Sequence, residues 1–246
     1  MTARIALVTG GIGGIGTEIC RSLAGSGHKV IACDLPASAE RLAQFSGSLA
    51  GLDVHFEAAD ASRMDDCERL VQRIRASHGP VDILVNGAGI TRDVSLRKMS
   101  SEQWHEVLRV NLDSVFNLCR LLADGMCERG FGRIVNISSI IGQTGAFGQS
   151  NYAAAKAGMH GFTMALAREL AAKGVTVNSV SPGYIDTAMT AAIPGELRRQ
   201  MIAAIPAGRI GHPADVAHAI AFLCAEESGY LTGINLPVNG GLFMSF

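Results

Sequence analysis

The sequence of 246 residues predicts an α/β fold: one doubly wound parallel sheet of about seven strands with helices on both faces. Short apolar runs alternate with amphipathic stretches of 12 to 18 residues, the rhythm of right-handed βαβ units. A glycine-rich turn joins the first run to the first helix. Polar or glycine residues also recur where each apolar run ends, which is where an open α/β sheet holds its ligand. With 48% hydrophobic and 17% charged residues, the chain can bury one large core, so 1–246 reads as a single dinucleotide-binding and catalytic domain.

The first strand spans 5–8 and runs into Thr9-Gly10-Gly11-Ile12-Gly13-Gly14-Ile15-Gly16, followed by a helix to about residue 26. Glycines let backbone approach a pyrophosphate, and the helix start offers free N–H groups, so the sheet is read as Rossmann-like. A second strand, 30–33, ends in Asp34, 18 residues beyond Gly16, where a carboxylate can accept both hydrogen bonds of a ribose diol. A third, 54–58, leads to Asp60 and Ala61 before a helix over 64–77. Asp60 fits either a helix cap or a cofactor contact. A fourth strand, 81–85, closes in Asn86-Gly87-Ala88-Gly89, a turn where backbone must come close to something. Helices over 101–110 and 114–128, a strand over 133–137, a helix from about 150 and a strand over 175–180 follow, the last leading to Pro182 and Gly183. The segment 185–211, broken by Pro194, Gly195 and Pro206, is a candidate substrate lid. A helix over 213–225 and a strand over 234–237 complete the chain.

The chemistry centres on Tyr152 and Lys156. On an alanine-rich helix a spacing of four stacks the phenol and the ammonium on one face. A phenol titrates near pH 10, and a cation held nearby draws that value toward the working range, each unit being worth about 1.4 kcal/mol. A phenol tuned in this way donates a proton to a carbonyl oxygen while a hydride attacks the carbon. Ser139, in the loop before the helix, is placed to hold the same oxygen. Such a pair taken alone is usually an exposed pair without chemistry. What favours catalysis is that Gly10, Asp34, Asp60, Asn86, Ser139 and Pro182 all fall at strand ends.

A net charge of −1 gives no electrostatic case for nucleic acid or for an anionic membrane. No apolar run approaches the 18 or so residues of a membrane span, the start reads as a strand rather than a signal peptide, and the chain is expected to be cytoplasmic. The six cysteines form no CxxC pair and the seven histidines no metal spacing, so no metal is expected. The tail NGGLFMSF is apolar, and Ala153, Ala154, Ala157 and Gly161 permit close helix packing, so contacts between copies are expected.

Together TGGIGGIG, NGAG, Asn111 in VNLDSVFN, Ser139, YAAAK and PG resemble the short-chain dehydrogenase/reductases over essentially the whole chain. The resemblance implies Tyr152 as general acid and base, Lys156 lowering its pKa and holding the nicotinamide ribose, and Ser139 on the substrate oxygen. It further implies Asn111 supporting a water that relays protons to Lys156, Ile185 and Thr187 near the cofactor, and a homotetramer. Gly87 departs from the usual NNAG, with little loss expected. MTARIALVTGGIGGIGTEIC, GITRDVSLRKMS and GQTGAFGQSNYAAAKAGMHGFTMALARE are similar to the acetoacetyl-CoA reductases of polyhydroxybutyrate synthesis. That implies an acyl-CoA substrate, acetoacetyl-CoA reduced to (R)-3-hydroxybutyryl-CoA, with Phe147, Gln149 and Tyr184 lining the acyl pocket. The relatives usually take NADPH, but Asp34 would repel a 2′-phosphate, so NADH is expected, with NADPH open through Arg41. One rival is a 3-oxoacyl-acyl carrier protein reductase, for which Arg129, Arg133 and Lys173 would form a landing patch. Another is a dinucleotide-sensing scaffold on the same fold, a class that tends to lose the chemistry kept here.

Overall fold

The computed structural model describes residues 3–187, 190 and 195–244. Seven strands pair in parallel in the order β3-β2-β1-β4-β5-β6-β7. They are β1 Ile5–Thr9, β2 Lys29–Asp34, β3 Val54–Ala58, β4 Ile83–Asn86, β5 Gly132–Ile137, β6 Val175–Pro182 and β7 Asn235–Val238. The order reverses between β1 and β4, opening a crevice at their C-terminal ends.

Alternate residues of each central strand face opposite layers, as a period of two requires. Val8, Val30, Ala32, Val85 and Val135 pack against α1 (Gly14–Gly25), α2 (Ala39–Ser48) and α9 (Pro213–Cys224) through Ile19, Leu23, Phe45, Ile220 and Leu223. Leu7, Ile31, Leu84, Ile134 and Val177 pack against α3 (Met64–Ser77), α5 (Ser114–Glu128) and α7 (Ser150–Leu170) through Leu70, Ile74, Leu118, Met126 and Met159. Burial on both faces explains why these strands read as continuous apolar runs. Five of the six cysteines are buried in these layers, where desolvation pushes the Cys20, Cys67, Cys119 and Cys224 thiols up to about 12.

The strands and major helices fall within a residue or two of their expected bounds, and the structure adds elements that the sequence pattern does not show. Helix α2 escapes the periodic reading because Phe45 is its one buried residue, and its visible mark is the Ser38 hydroxyl accepting from the Arg41 N–H at 3.3 Å. Helix α8 (Gly195–Ala203) lies inside the irregular stretch. After α4 (Ser101–Leu108), a widened π turn over Arg109–Asp113 replaces the continuous helix expected through 110. Of the segment 185–211, residues 188–189 and 191–194 lie outside the described residues. Its two ends are tied by a bridge between Ile185 and Gly211. Among the described residues no helix is long and apolar enough to cross a membrane.

Leu84 is fully buried at the centre of the sheet. Leu84→Ala is expected to lower unfolding free energy by about 2 to 5 kcal/mol in denaturant titration, as lost transfer energy and a residual cavity add.

Candidate active site

A cleft of about 700 Å³ runs across the strand ends. At its centre the first glycine turn meets the second. Gly10 has φ +67°, and a Cβ there would lie 2.8 Å from the Gly87 carbonyl oxygen. A Cβ on Gly87 would in turn lie 2.7 Å from the carbonyl oxygen of Thr9, so a side chain at this position requires the two turns to part. The Thr9 hydroxyl fastens them together, accepting from the N–H groups of Gly87 at 3.0 Å and Ala88 at 3.1 Å. Helix α1 starts here with Gly13 as its N-cap and no side chain capping it, so its first-turn N–H groups face the cleft unpaired. Uncapped amides, glycines without side chains and a helix dipole form a cradle for a pyrophosphate.

Of the residues expected at the cofactor, Gly10, Gly13, Gly14, Ile15, Asp34, Asp60, Ala61, Gly87, Ala88, Gly89, Pro182, Gly183, Ile185 and Thr187 all line this cleft. Three others stand behind its wall. A Cβ on Gly11 would strike Ala32, and Ile12 sits in the core, so these two seat the turn on β2. The Asn86 side chain is buried and donates to Asn136 Oδ1 at 2.8 Å; Asn136 donates to Thr163 Oγ1 at 2.9 Å, tying β4, β5 and α7 together. Asn111 is fully buried as well. Asp60 caps no helix: its carboxylate accepts from the Ser62 N–H at 2.9 Å, and the N-cap of α3 is Arg63. Thr187 sits against Gly14, its methyl 3.3 Å from where a Cβ would be.

The residues expected to carry acid–base chemistry converge at the end of β5. Ser139 follows that strand and accepts from the Ile141 N–H at 3.1 Å, fixed by the one-turn helix α6 (Ile141–Thr144). Tyr152 and Lys156 come from α7, and all three line the cleft. Lys156 is buried, its Nζ donating to the Ile137 carbonyl at 2.7 Å, and burial brings its pKa down to about 8. Sequence reasoning expects this ammonium to lower the Tyr152 pKa. The structure differs: burial raises the phenol, with the Ser139 hydroxyl pulling the other way and Asp93 adding to the rise. The ammonium lies 5.6 Å from the ring centroid and is engaged by the Ile137 carbonyl.

The π turn swings Asn111 inward, where Nδ2 donates to the carbonyls of Ile90 and Val107, each at 2.9 Å. Its Oδ1 is buried with no hydrogen-bond partner among the described residues. A Cβ on Gly89 would lie 2.6 Å from that oxygen and 3.5 Å from Lys156 Nζ, so a bare glycine keeps the acceptor and the ammonium facing one small space.

The three acyl-pocket residues do not join this cleft. Phe147 is 95% exposed, Gln149 donates to Asp93 Oδ2 at 2.9 Å, and Tyr184 lines a separate cavity against α9 and β7. Sequence reasoning missed the paired wall formed by Arg92 and Glu106, joined by two hydrogen bonds of 2.8 and 2.7 Å, along with Ser62, Arg109 and Thr190. Nothing short of the fold brings Arg92 to Glu106, because the signal lies in pairing across 14 residues.

A cradle for a dinucleotide beside a serine, tyrosine and lysine set defines an oxidoreductase site, and the chain belongs to the short chain dehydrogenase family, whose model matches residues 4–197. It is a nicotinamide-dependent enzyme of that class. Among curated proteins it is 58% identical to an acetoacetyl-CoA reductase of Allochromatium vinosum, over 98% of this chain and 99% of that one. It is 49% identical to the acetoacetyl-CoA reductase of Cupriavidus necator, over 99% and 100%. To a 3-oxoacyl-acyl-carrier-protein reductase of Vibrio cholerae it is 44% identical, over 99% of each.

The burial of Lys156 has a thermodynamic signature. Its folded pKa of about 8 lies below the 10.5 of a solvated lysine, so both states carry the proton below pH 8. Between 8 and 10.5 the folded chain releases a proton that the unfolded chain keeps, and this contribution to stability rises with pH. Denaturation of the parent and of Lys156→Met from pH 7 to 10.5 should show the parent gaining on the variant by roughly 3 kcal/mol. A difference independent of pH would mean that the ammonium is not desolvated.

Proposed function

We propose that the protein is an acetoacetyl-CoA reductase forming (R)-3-hydroxybutyryl-CoA, with NADH as the preferred reductant. The observation that carries this reading is the convergence of Ser139, Tyr152 and Lys156 on one end of the cleft, in a chain whose similar relatives include acetoacetyl-CoA reductases. The glycine turn, Asp34 and Thr187 would hold the dinucleotide, whose nicotinamide supplies the hydride. The Ser139 and Tyr152 hydroxyls hold the ketone oxygen, and Tyr152 gives up its proton to it. Lys156 keeps the tyrosinate from accumulating charge unopposed, and Asn111 Oδ1 steadies a relay toward Lys156. General acid assistance of this kind is worth about 10² to 10⁴ in rate. The whole chain works as one domain, with 185–211 as the candidate lid over the acyl group. A homotetramer would cover the exposed Phe116 and Met164 on α5 and α7.

The cofactor preference rests on Asp34. It closes β2 and lines the cleft, with Oδ1 accepting from the Leu35 N–H at 2.9 Å. Two unit charges 4 Å apart repel by about 4 kcal/mol at an effective dielectric of 20, and even part of that amounts to tenfold discrimination against a 2′-phosphate. Arg41 lines the same end, exposed and without an ion-pair partner among the described residues, and is the opposing influence.

The carrier-protein alternative loses part of its landing patch. Arg133 is buried, donating to the carbonyls of Ala225 and Glu226, each at 3.1 Å, and Arg129 is drawn onto Asp82.

Initial rates with acetoacetyl-CoA and with acetoacetyl carrier protein, each with NADH and NADPH, test both halves. The expected result is a higher kcat/KM for the CoA ester, with NADH ahead by about tenfold or more. Asp34→Gly should narrow the cofactor ratio. Preference for the carrier protein would move the enzyme to acyl chain synthesis, and an unchanged ratio in Asp34→Gly would remove that residue as the selector.

A further inference from the structure

One turn beyond Lys156 on α7 stands His160, half-buried and outside the cleft, with both ring nitrogens engaged. Nε2 lies 3.1 Å from Ser138 Oγ and Nδ1 lies 3.2 Å from Ser179 Oγ. The proton positions follow from the neighbours. Ser138 Oγ donates to the Lys156 carbonyl at 2.9 Å, so it accepts from His160, and the imidazole carries its proton on Nε2. With the proton on Nε2, Nδ1 is left as an acceptor 3.2 Å from the Ser179 hydroxyl, which also lies 3.1 Å from Asn235 Oδ1. Burial and the Lys156 ammonium hold the His160 pKa below its usual range, in keeping with this neutral form.

The chain of bonds ends on the chemistry. Ser138 lies between Ile137, whose carbonyl holds Lys156 Nζ, and Ser139, and its own N–H donates to the Val180 carbonyl at 2.8 Å. Lys156 is therefore held at its ammonium by Ile137 and at its carbonyl by Ser138, while α6 presses on the same turn so closely that a Cβ on Gly142 would lie 2.8 Å from the Lys156 carbonyl carbon. We propose that His160 is a positioning residue: by donating from Nε2 to Ser138 it fixes the loop carrying Ser139 against the turn of α7 carrying Lys156. This rests on the proposed roles of Ser139, Tyr152 and Lys156. It adds that their spacing is set from outside the cleft by an imidazole that touches neither substrate nor cofactor.

The two nitrogens can be tested separately. Glutamine places a donor near Nε2, and asparagine places an amide near Nδ1. With acetoacetyl-CoA as substrate, His160→Asn should lower kcat by about three- to tenfold with KM and nucleotide Kd nearly unchanged, since misplacement well below 1 Å erodes orientation without removing binding groups. His160→Gln should recover most of the parent kcat. Ser138→Ala should reproduce the His160→Asn loss, and the double variant should be no slower than Ser138→Ala alone, because the two act in series. Parent-like kcat in His160→Asn overturns the proposal, as does an additive double variant or a loss in His160→Gln equal to that in His160→Asn. Melting temperatures recorded alongside distinguish the two roles: a packing role lowers them in all variants without the glutamine recovery. If the parent itself fails to reduce acetoacetyl-CoA, the assigned reaction fails instead.

Discussion

The hydrogen bond from the buried Lys156 ammonium to the Ile137 carbonyl is the contact on which the rest of the site depends. A charge with 4% exposure for its residue is tolerated only when its surroundings are fixed, because an unpaired buried ammonium costs several kcal/mol. The carbonyl that receives it is the last of β5, and a strand in mid-sheet, paired in register on both sides, moves little. Tyr152, a turn earlier on the same helix, inherits that placement, and Ser139, two residues beyond the carbonyl, inherits it from the other side. Burial here does two opposing things: it pushes the phenol pKa up and brings the ammonium down. Both shifts favour the uncharged form of each group, so the buried phenol holds its proton more firmly than it would in water and the buried ammonium less firmly.

The same sheet explains why the polar elements gather at one edge. Strands buried on both faces are mostly apolar, and a hydrogen-bonding side chain within them needs a partner, whereas at their ends it can face the crevice. Asn86, at the end of β4, donates to Asn136 within β5, which carries the tie onward to Thr163 on α7, and Asn178 within β6 donates to the Leu231 carbonyl. The two glycine turns close the other half of the crevice, fastened by Thr9, so that backbone rather than side chains lines it there. The glycine-turn cradle and the Ser139, Tyr152 and Lys156 set are thus built on one edge of the sheet by separate means.

How much of this is legible in the sequence follows from what each residue signals locally. The strands, the first glycine turn and the stacking of Tyr152 with Lys156 are visible because periodicity and spacing of four are local facts. Helix α2 is not, since it buries only Phe45 and leaves no stripe. The π turn at Asn111 is not, because five extra-wide residues look helical to any pattern of 3.6. The retreat of Asn86, Gly11 and Ile12 behind the cleft wall is hidden for a related reason: a motif fixes which residues make a turn but not which atoms of it reach the ligand. The direction of the Tyr152 pKa misled because Coulomb attraction can be read from spacing, whereas desolvation needs the finished core.

The central claim is that Tyr152 delivers the proton within a set that binds nucleotide independently of it. The most direct test is the turnover number of Tyr152→Phe with acetoacetyl-CoA, measured beside its nucleotide dissociation constant. The account predicts a fall in kcat of about 10² to 10⁴, with nucleotide binding intact. Turnover equal to the parent's, with the same nucleotide affinity, would contradict it and remove the phenol from the reaction.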